Sequence, residues 1–273
     1  MVNETVAEGD RLSIDLIRRT LSGELIGRRI CVLWDVSSTN DVLRQMAEAG
    51  APAGTVVLSE RQHAGRGPGE TSWVSPLGVN LYASVLLRPA IPVAAVRVFS
   101  FIGSLAVSDA IRLEGLPALI KWPNDIFVDR RKVAGLLNEC AAVGEKVEHV
   151  ILGFGVSLNV DRDLANQALG GGAGEAASLR ELIGRDIDRN AFAGRLLMCV
   201  DRWVHVYTAQ GPDPILAGWR ERDALIGHRV VVCRGGAECR GRVRGISREG
   251  LLLVEDSDGG APQIVNGQIR VLD

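Results

Sequence analysis

Lys121-Trp122-Pro123-Asn124-Asp125-Ile126-Phe127-Val128, followed by Arg130-Arg131-Lys132-Val133-Ala134-Gly135, is the stretch on which the reading of this chain turns. The apolar run from Leu119 to Trp122 enters a turn at Pro123-Asn124-Asp125, and Ile126 to Val128 leaves it, so the spacing predicts two short strands joined by a tight turn. A turn that gathers Lys121, Asn124 and Asp125 between two strands admits two readings. One is a solvated turn with an Asx cap, and Arg130 to Lys132 is then a charged hairpin tip. The other is a polar site, because Ala134-Gly135 just beyond is a small, open backbone position where a ligand can lie against the strand.

Working outward, the neighbouring segments alternate strand and helix. Ile30 to Trp34 reads as a buried strand, and Ser37-Ser38-Thr39-Asn40-Asp41 is a capping cluster that opens a helix through Val42, Leu43 and Met46 to Gly50. Thr55 to Ser59 is the next strand and feeds Gly65-Arg66-Gly67-Pro68-Gly69; Asn80 to Leu87 is another, followed by a helix over 94–113. Downstream, Val133 to Ala141 and Val147 to Phe154 form a hairpin across Gly144, and Phe192, Leu196, Val200, Trp203 and Tyr207 repeat at helical spacing. Residues 12–21 carry one further helical pattern, and Gly170 to Gly174 reads as a flexible loop. From about residue 225 short β segments at 229–233, 239–246, 251–255 and 264–272 follow one another, the texture of a small barrel. The fold class is therefore α+β, a mixed body with a compact β appendage.

Composition narrows the functional classes. The 273 residues hold 31 Lys plus Arg against 33 Asp plus Glu, a net charge of −2 that argues against a nucleic-acid coat or a membrane-surface protein. Hydrophobic residues at 47% and charged residues at 23% match the globular average and exclude disordered, collagen-like and coiled-coil chains. Five scattered cysteines without a C-x-x-C pair and four scattered histidines argue against a structural zinc site. A polar start without an apolar leader, and no recognised spanning segment, set the expectation of a cytoplasmic protein.

Two further features can carry chemistry. Glycines 65, 67 and 69 after a strand allow backbone N–H groups to approach an anion, and Arg66 adds a planar fork suited to carboxylate or phosphate. The spacing is neither that of a Walker loop nor that of a dinucleotide fingerprint, and a plain flexible turn remains the competing reading. Between residues 228 and 248 six arginines face one acid, Glu238, with Arg240, Arg242 and Arg244 on one side of a strand. They read as a solvated face or as a docking surface.

The motifs taken together resemble those of biotin protein ligases. The matches are Ser38-Thr39-Asn40; Glu60-x-Gln62-x-Ala64-Gly65-Arg66-Gly67 with Trp73-x-Ser75-Pro76 and Asn80-Leu81-Tyr82; Lys121-Trp122-Pro123-Asn124-Asp125; and Lys132-x-Ala134-Gly135, while Asn266-Gly267-Gln268-Ile269 is similar to the end of that family's SH3-like cap. The resemblance implies a class II aminoacyl-tRNA-synthetase-like mixed sheet flanked by helices over 30–224, an SH3-like β-barrel over 225–273, and a helical extension over 1–29 too short for a DNA-binding head. It implies ATP-dependent activation of biotin as biotinyl-adenylate, then transfer to a lysine of a biotin carboxyl carrier protein or carboxylase domain. It is also compatible with a homodimer.

On that resemblance Lys132, Arg66, Lys121 and Asp125 are the candidate catalytic residues. Ser38, Thr39, Asn40, Gln62, Gly65, Arg66, Gly67, Lys132, Gly135 and Gly155 are candidates for biotin, because a ureido ring offers one acceptor and two donors to a neutral polar rim. Arg66, Pro68, Trp73, Asn124, Lys132 and Asn159 are candidates for ATP and the adenylate. Mg²⁺ is expected with ATP, near Asn124 and Asp125, without a dedicated site. The arginine strand then becomes a candidate dock for an acidic carrier domain or a contact to ATP phosphate.

The chain also departs from the family pattern. Pro68 stands where the family continues with an arginine, and Glu70 and Thr71 stand where it has Gly-Arg before the tryptophan. Two cations are lost and one anion gained, so the expectation is looser retention of the adenylate. Gly153-Phe154-Gly155-Val156-Ser157-Leu158-Asn159 replaces a usual Gly-x-Gly-x-Asn, by substitution at Ser157 or by an added residue. Lipoate ligase is a rival, although its Arg-Arg-x-Ser-Gly-Gly stretch is missing. A non-catalytic biotin or adenylate binder and a nucleic-acid module on the arginine strand are rivals from other classes.

Overall fold

The computed structural model describes residues 6, 10–67, 69, 71–164, 176–234, 237–256, 259–260, 263–264 and 267–272. Seven strands form the main sheet: β1 (Arg29–Val36), β2 (Thr55–Gln62), β3 (Leu81–Leu87), β4 (Leu119–Lys121), β5 (Asp125–Val128), β6 (Arg131–Val143) and β7 (Lys146–Val156). Their spatial order is β1-β2-β3-β7-β6-β5-β4. Only β1 and β2 run parallel, because helix α2 (Thr39–Glu48) carries the chain between them; the other neighbours are antiparallel.

Period-two alternation decides which helix covers which face. Val57, Leu86 and Ile151 point to one face and pack on Leu43 and Ala47 of α2. Val56, Leu58, Val85, Leu152 and Phe154 point to the other, where α3 (Arg97–Arg112) lies with the larger core. The expected 94–113 helix is thus a 3₁₀ turn (Val93–Ala95) leading into α3. Residues 93–112 are long and apolar enough to cross a membrane, but 67% of their apolar window is buried inside the protein. That burial accounts for the apolarity.

The N-terminal helical pattern closes early. Helix α1 (Ile14–Arg18) is one short turn capped by Ser13, and the chain then leaves the helix rather than continuing to residue 21. Helices α4 (Leu179–Ile183), α5 (Arg189–Gln210) and α6 (Asp213–Arg220) follow, with Asp188 capping α5 through the Asn190 and Ala191 N–H groups. A buried ion pair ties these parts together. Arg189, at the start of α5, meets Glu60 of β2 at 2.8 Å with both side chains 3% exposed, and Glu60 also accepts the Leu12 N–H at 2.6 Å. Glu60 of the family motif is therefore a structural anchor. The glycine run at 170–174 lies outside the described residues.

The C-terminal segments β8 (Arg229–Arg234), β9 (Ala237–Ile246), β10 (Leu252–Glu255), β11 (Gln263–Ile264) and β12 (Gln268–Val271) form a second, antiparallel sheet in the order β11-β10-β9-β8-β12. Where a barrel was expected, no hydrogen-bonded closure joins β11 to β12 among the described residues. The sheet is seated firmly on the body. Trp122 donates from Nε1 to the Gly250 carbonyl at 3.2 Å, Arg97 to that of Glu249 at 3.0 Å, and Arg220 to that of Ile246 at 3.2 Å. The arginine strand is largely satisfied locally, since Arg240 pairs with Glu238 at 2.7 Å, Arg244 with Glu255, and Arg242 donates to the Gly227 carbonyl at 2.6 Å.

Candidate functional site

A cavity of about 440 Å³ opens where the start of α2, the loop after β2, the β4–β5 turn and the facing parts of β6 and β7 converge. Gly267 and Ile269 of the C-terminal sheet complete one wall. Pairing across the sheet explains why these residues meet. Lys121 lies opposite Asp125, Asp125 opposite Gly135, and Gly135 opposite Gly155, so one transverse row crosses four strands. Residues in such a row share a face, and the side chains missing at its two glycines leave room above the sheet.

One end of the cavity is neutral and hydrogen-bonded. Ser38 occupies the N-cap position of α2, yet its hydroxyl makes no capping bond. The Thr39 N–H and Oγ1 both donate to Gln62 Oε1, at 2.8 and 3.1 Å, and Gln62 Nε2 meets Ser75 Oγ at 3.0 Å. Ser84 of β3 lies beneath, with its Oγ donating to Asn40 Oδ1 at 2.6 Å and lying 2.8 Å from Thr39 Oγ1. Asn40 donates in turn to the Leu137 carbonyl at 3.0 Å and to Glu139 at 2.9 Å. Gly153 makes this possible: a Cβ there would stand 2.3 Å from Asn40 Oδ1. Ser75 stands in the quoted motif without a site role and Ser84 is not among the sequence candidates, although a lone serine in the continuous apolar run Leu81 to Leu87 is a readable sign of a polar contact.

The other end is charged. Lys132 Nζ pairs with Asp125 at 2.7 Å and stands 5.7 Å from the Trp73 ring centroid. Lys121 Nζ lies 5.2 Å over the Phe127 ring and also faces the cavity. Asn124 lines the cavity as expected, but its Nδ2 is committed to the Leu136 carbonyl at 2.5 Å, which ties the turn to β6. Among the described residues no group of three His, Cys, Asp or Glu side chains gathers that could hold a metal ion.

Several expectations need correction. Gly135, expected as open backbone, and Gly155 both line the cavity, but Trp73 lies directly on them. A Cβ on Gly155 would sit 2.4 Å from its indole, and one on Gly135 would sit 2.8 Å away. The glycines make room for Trp73 and line the cavity together with it. The glycine loop, for which an anion cradle and a plain flexible turn were both open, is a narrow hairpin: Gly67 N–H donates to the Thr71 carbonyl at 2.8 Å, and Trp73 N–H to that of Gly65 at 2.9 Å. Gly65 is consequently part of the loop's backbone pairing and does not line the cavity, whereas Gly67 does.

Arg66 lines the cavity, but its guanidinium is paired with Asp41 at 2.6 Å and Glu139 at 3.4 Å. Asn159 falls elsewhere. Its amide exchanges hydrogen bonds of 2.9 and 2.8 Å with the Ile187 backbone beside a separate cavity of about 420 Å³. Pro68 and Glu70 lie outside the described residues. Strand β7 pairs without a bulge from Val150 to Val156 on both sides, so no added residue precedes Ser157 within that stretch. Tyr82, opposite Gly155, is held by a 3.0 Å bond to the Pro76 carbonyl, and burial pushes its phenol well above the ordinary range, so it stays neutral.

Comparison with known proteins accords with this geometry. Residues 33–157 match the model of the biotin/lipoate A/B protein ligase family, and residues 225–271 match that of the biotin protein ligase C-terminal domain. The chain is 34% identical over 231 residues to a biotin–[acetyl-CoA-carboxylase] ligase of Paracoccus denitrificans, covering 84% of this chain and 95% of that one. It is 31% identical over 250 residues to the bifunctional ligase/repressor BirA of Bacillus subtilis, covering 91% and 76% respectively. The fold is shared with the Aquifex aeolicus biotin protein ligase solved in complex with biotin and ATP, at a TM-score of 0.75 and 24% identity over 90% of this chain and 99% of that one.

Proposed function

The chain belongs to the biotin protein ligases of the biotin/lipoate A/B protein ligase family, and from that membership we propose that its cavity activates biotin with ATP and passes the acyl group to a lysine of a carboxylase carrier protein. One observation carries the assignment of residues: a single cavity has a neutral hydroxyl and amide network at one end and the Lys132–Asp125 pair at the other.

Biotin has the same polarity. Its ureido group needs neutral donors and acceptors, which Ser38, Thr39, Asn40 and Gln62 supply, while its carboxylate needs a cation. In the first step a carboxylate oxygen attacks the α-phosphorus of ATP, the bond to the β-phosphate bridge breaks, and pyrophosphate leaves. Two anions must approach each other, so the principal requirement is positive charge held in place. Lys132 fills that role, oriented by Asp125 and by the face of Trp73; Lys121 and Arg66 add to it. In the second step the carrier amine attacks the acyl carbon and AMP leaves. Asp125 is the carboxylate placed to orient that amine and receive its proton.

Mg²⁺ would enter with ATP and supply charge neutralisation at its phosphates, and Asp125, which lines the cavity, would be the carboxylate to help hold it. Asn159 has no part in this reading. The five free cysteines fit a reducing compartment, and the cytoplasm is the proposed location.

The test is ATP–pyrophosphate exchange, followed by labelling of a carrier domain. Exchange should require biotin, fail with lipoate, and fall by about 100-fold or more in Lys132→Ala, the loss expected for a charge acting on the reacting centre. Exchange that proceeds without biotin, or better with lipoate, overturns the assignment.

A further inference from the structure

Beside the cavity, two cations share two anions. Asp41 in the first turn of α2 pairs with Arg44 one turn on and with Arg66 of the loop, both at 2.6 Å. Glu139 of β6 stands 3.4 Å from Arg66 and 3.7 Å from Arg44, and its second oxygen accepts the Asn40 amide. The two acids, Asp41 and Glu139, are 21% and 27% exposed, and the two arginines, Arg44 and Arg66, 42% and 40%. None of the family motifs quoted for the site includes Asp41, Arg44 or Glu139. The reading of Arg66 as a contact to the phosphates or the carboxylate, on which this inference rests, leaves unexplained why its guanidinium is already ion-paired.

We propose that Asp41 and Glu139 are positioning residues for Arg66. They hold its guanidinium at the cavity mouth before nucleotide arrives and release it to the phosphates afterwards, and Arg44 sets how tightly they hold it. The charge balance makes the exchange feasible. With both arginines present the cluster is neutral, and when Arg66 leaves, Arg44 remains within reach of both carboxylates. A polyanionic nucleotide therefore competes for Arg66 against a dock that is already partly neutralised, in a setting exposed enough for the exchange to be cheap. The hairpin pairing at Gly65, Gly67 and Trp73 fixes the backbone on either side of Arg66, so the side chain can exchange partners without the loop unfolding.

The dock makes predictions of opposite sign. Asp41→Asn and Glu139→Gln weaken the hold, and each should lower KM for ATP by about two- to five-fold, the span of one exposed ion pair. Glu139→Gln retains an oxygen for the Asn40 amide. Arg44→Ala leaves both acids to Arg66 and should raise KM for ATP by a similar factor. In an Arg66→Ala background all three changes should leave KM for ATP unaltered, and added salt should shrink the differences between the single variants.

The assay is biotin-dependent ATP–pyrophosphate exchange at varied ATP, with kcat and thermal melting measured in parallel. Shifts of the same sign for the acid and the arginine substitutions, or shifts that persist without Arg66, overturn the dock. Absence of biotin-dependent exchange in the unaltered protein overturns instead the reading of the cavity beneath it.

Discussion

Gly155→Ala is the smallest change that tests how the cavity is built. Its added Cβ would lie 2.4, 2.6 and 2.7 Å from three atoms of the Trp73 indole, whereas ordinary contacts begin at 3.4 Å. Trp73 is only 8% exposed and also rests on Gly135, where a Cβ would be 2.8 Å from the ring. The ring cannot sink toward the sheet, so it must move by about 1 Å into the cavity, the direction that takes space from the ligand. Overpacking of this kind costs about 1–3 kcal/mol, which lowers the melting temperature by roughly 2–10 °C for a chain of this size. A displacement of about 1 Å in a site that works by positioning can cost up to ~100-fold in rate. The expected result in exchange assays is a rise in KM for biotin of about 10- to 100-fold with a fall in kcat. The Trp73→Ala, Gly155→Ala double variant should be no worse than Trp73→Ala alone, because the clash is then gone. A Gly155→Ala enzyme within about twofold of the parent in KM for biotin, or one equally impaired in the Trp73→Ala background, would refute the argument.

Ser84→Ala removes the donor to Asn40 Oδ1 and leaves buried polar atoms unpaired, so KM for biotin should rise about tenfold while KM for ATP stays unchanged; steady-state exchange at varied biotin and ATP separates the two. Arg189→Leu strands the buried Glu60 carboxylate, and urea unfolding should show a loss of about 3–5 kcal/mol; a loss under ~1 kcal/mol would mean that the pair is not the anchor described. Burial pushes the Asp223 carboxyl up from 3.8 to about 6. The folded state therefore holds the proton more tightly, and stability from this group is present at low pH and lost as pH rises between those values. Asp223→Asn should gain on the parent by about 3 kcal/mol between pH 3 and pH 8, and a difference in urea midpoints that does not vary with pH would contradict it. Restoring a cation with Pro68→Arg should reduce labelling of bystander lysines in mixtures of biotin, ATP and an unrelated protein, read by avidin blot.

How much of this was legible in the sequence depended on the distance over which a residue acts. The strand at Leu81 to Leu87 and the hairpin of β6 and β7 were readable because alternation and turn residues are local signals. The cavity row was readable in part, since Lys121, Asp125, Lys132 and Gly135 lie within fifteen residues and two tight turns bring them together. Helix α1 was drawn too long because its apolar spacing continues to Leu21, while the chain turns away to pack elsewhere. Asn159 lies away from the main cavity, and a motif asparagine carries no mark of its partner, here the backbone of Ile187. The arginines of β9 shared a face as expected, but Glu255, the partner of Arg244, enters from β10 through strand pairing.

The glycines show the limit most clearly. In a sequence, Gly135 and Gly155 record only that something must approach the sheet closely at those positions, and a ligand is the natural first reading. Which group approaches is decided by the hairpin after β2, whose pairing of Trp73 with Gly65 delivers an indole to the spot from more than sixty residues away. The missing side chains on the sheet and the large one on the loop are two halves of one packing decision. The shape of the cavity is therefore set by Trp73 as much as by the strands, and the loop that carries Trp73 also carries Arg66. Substitutions at the glycine pair should accordingly disturb both ends of the cavity, whereas substitutions in the Thr39–Ser84 network should disturb only the neutral one.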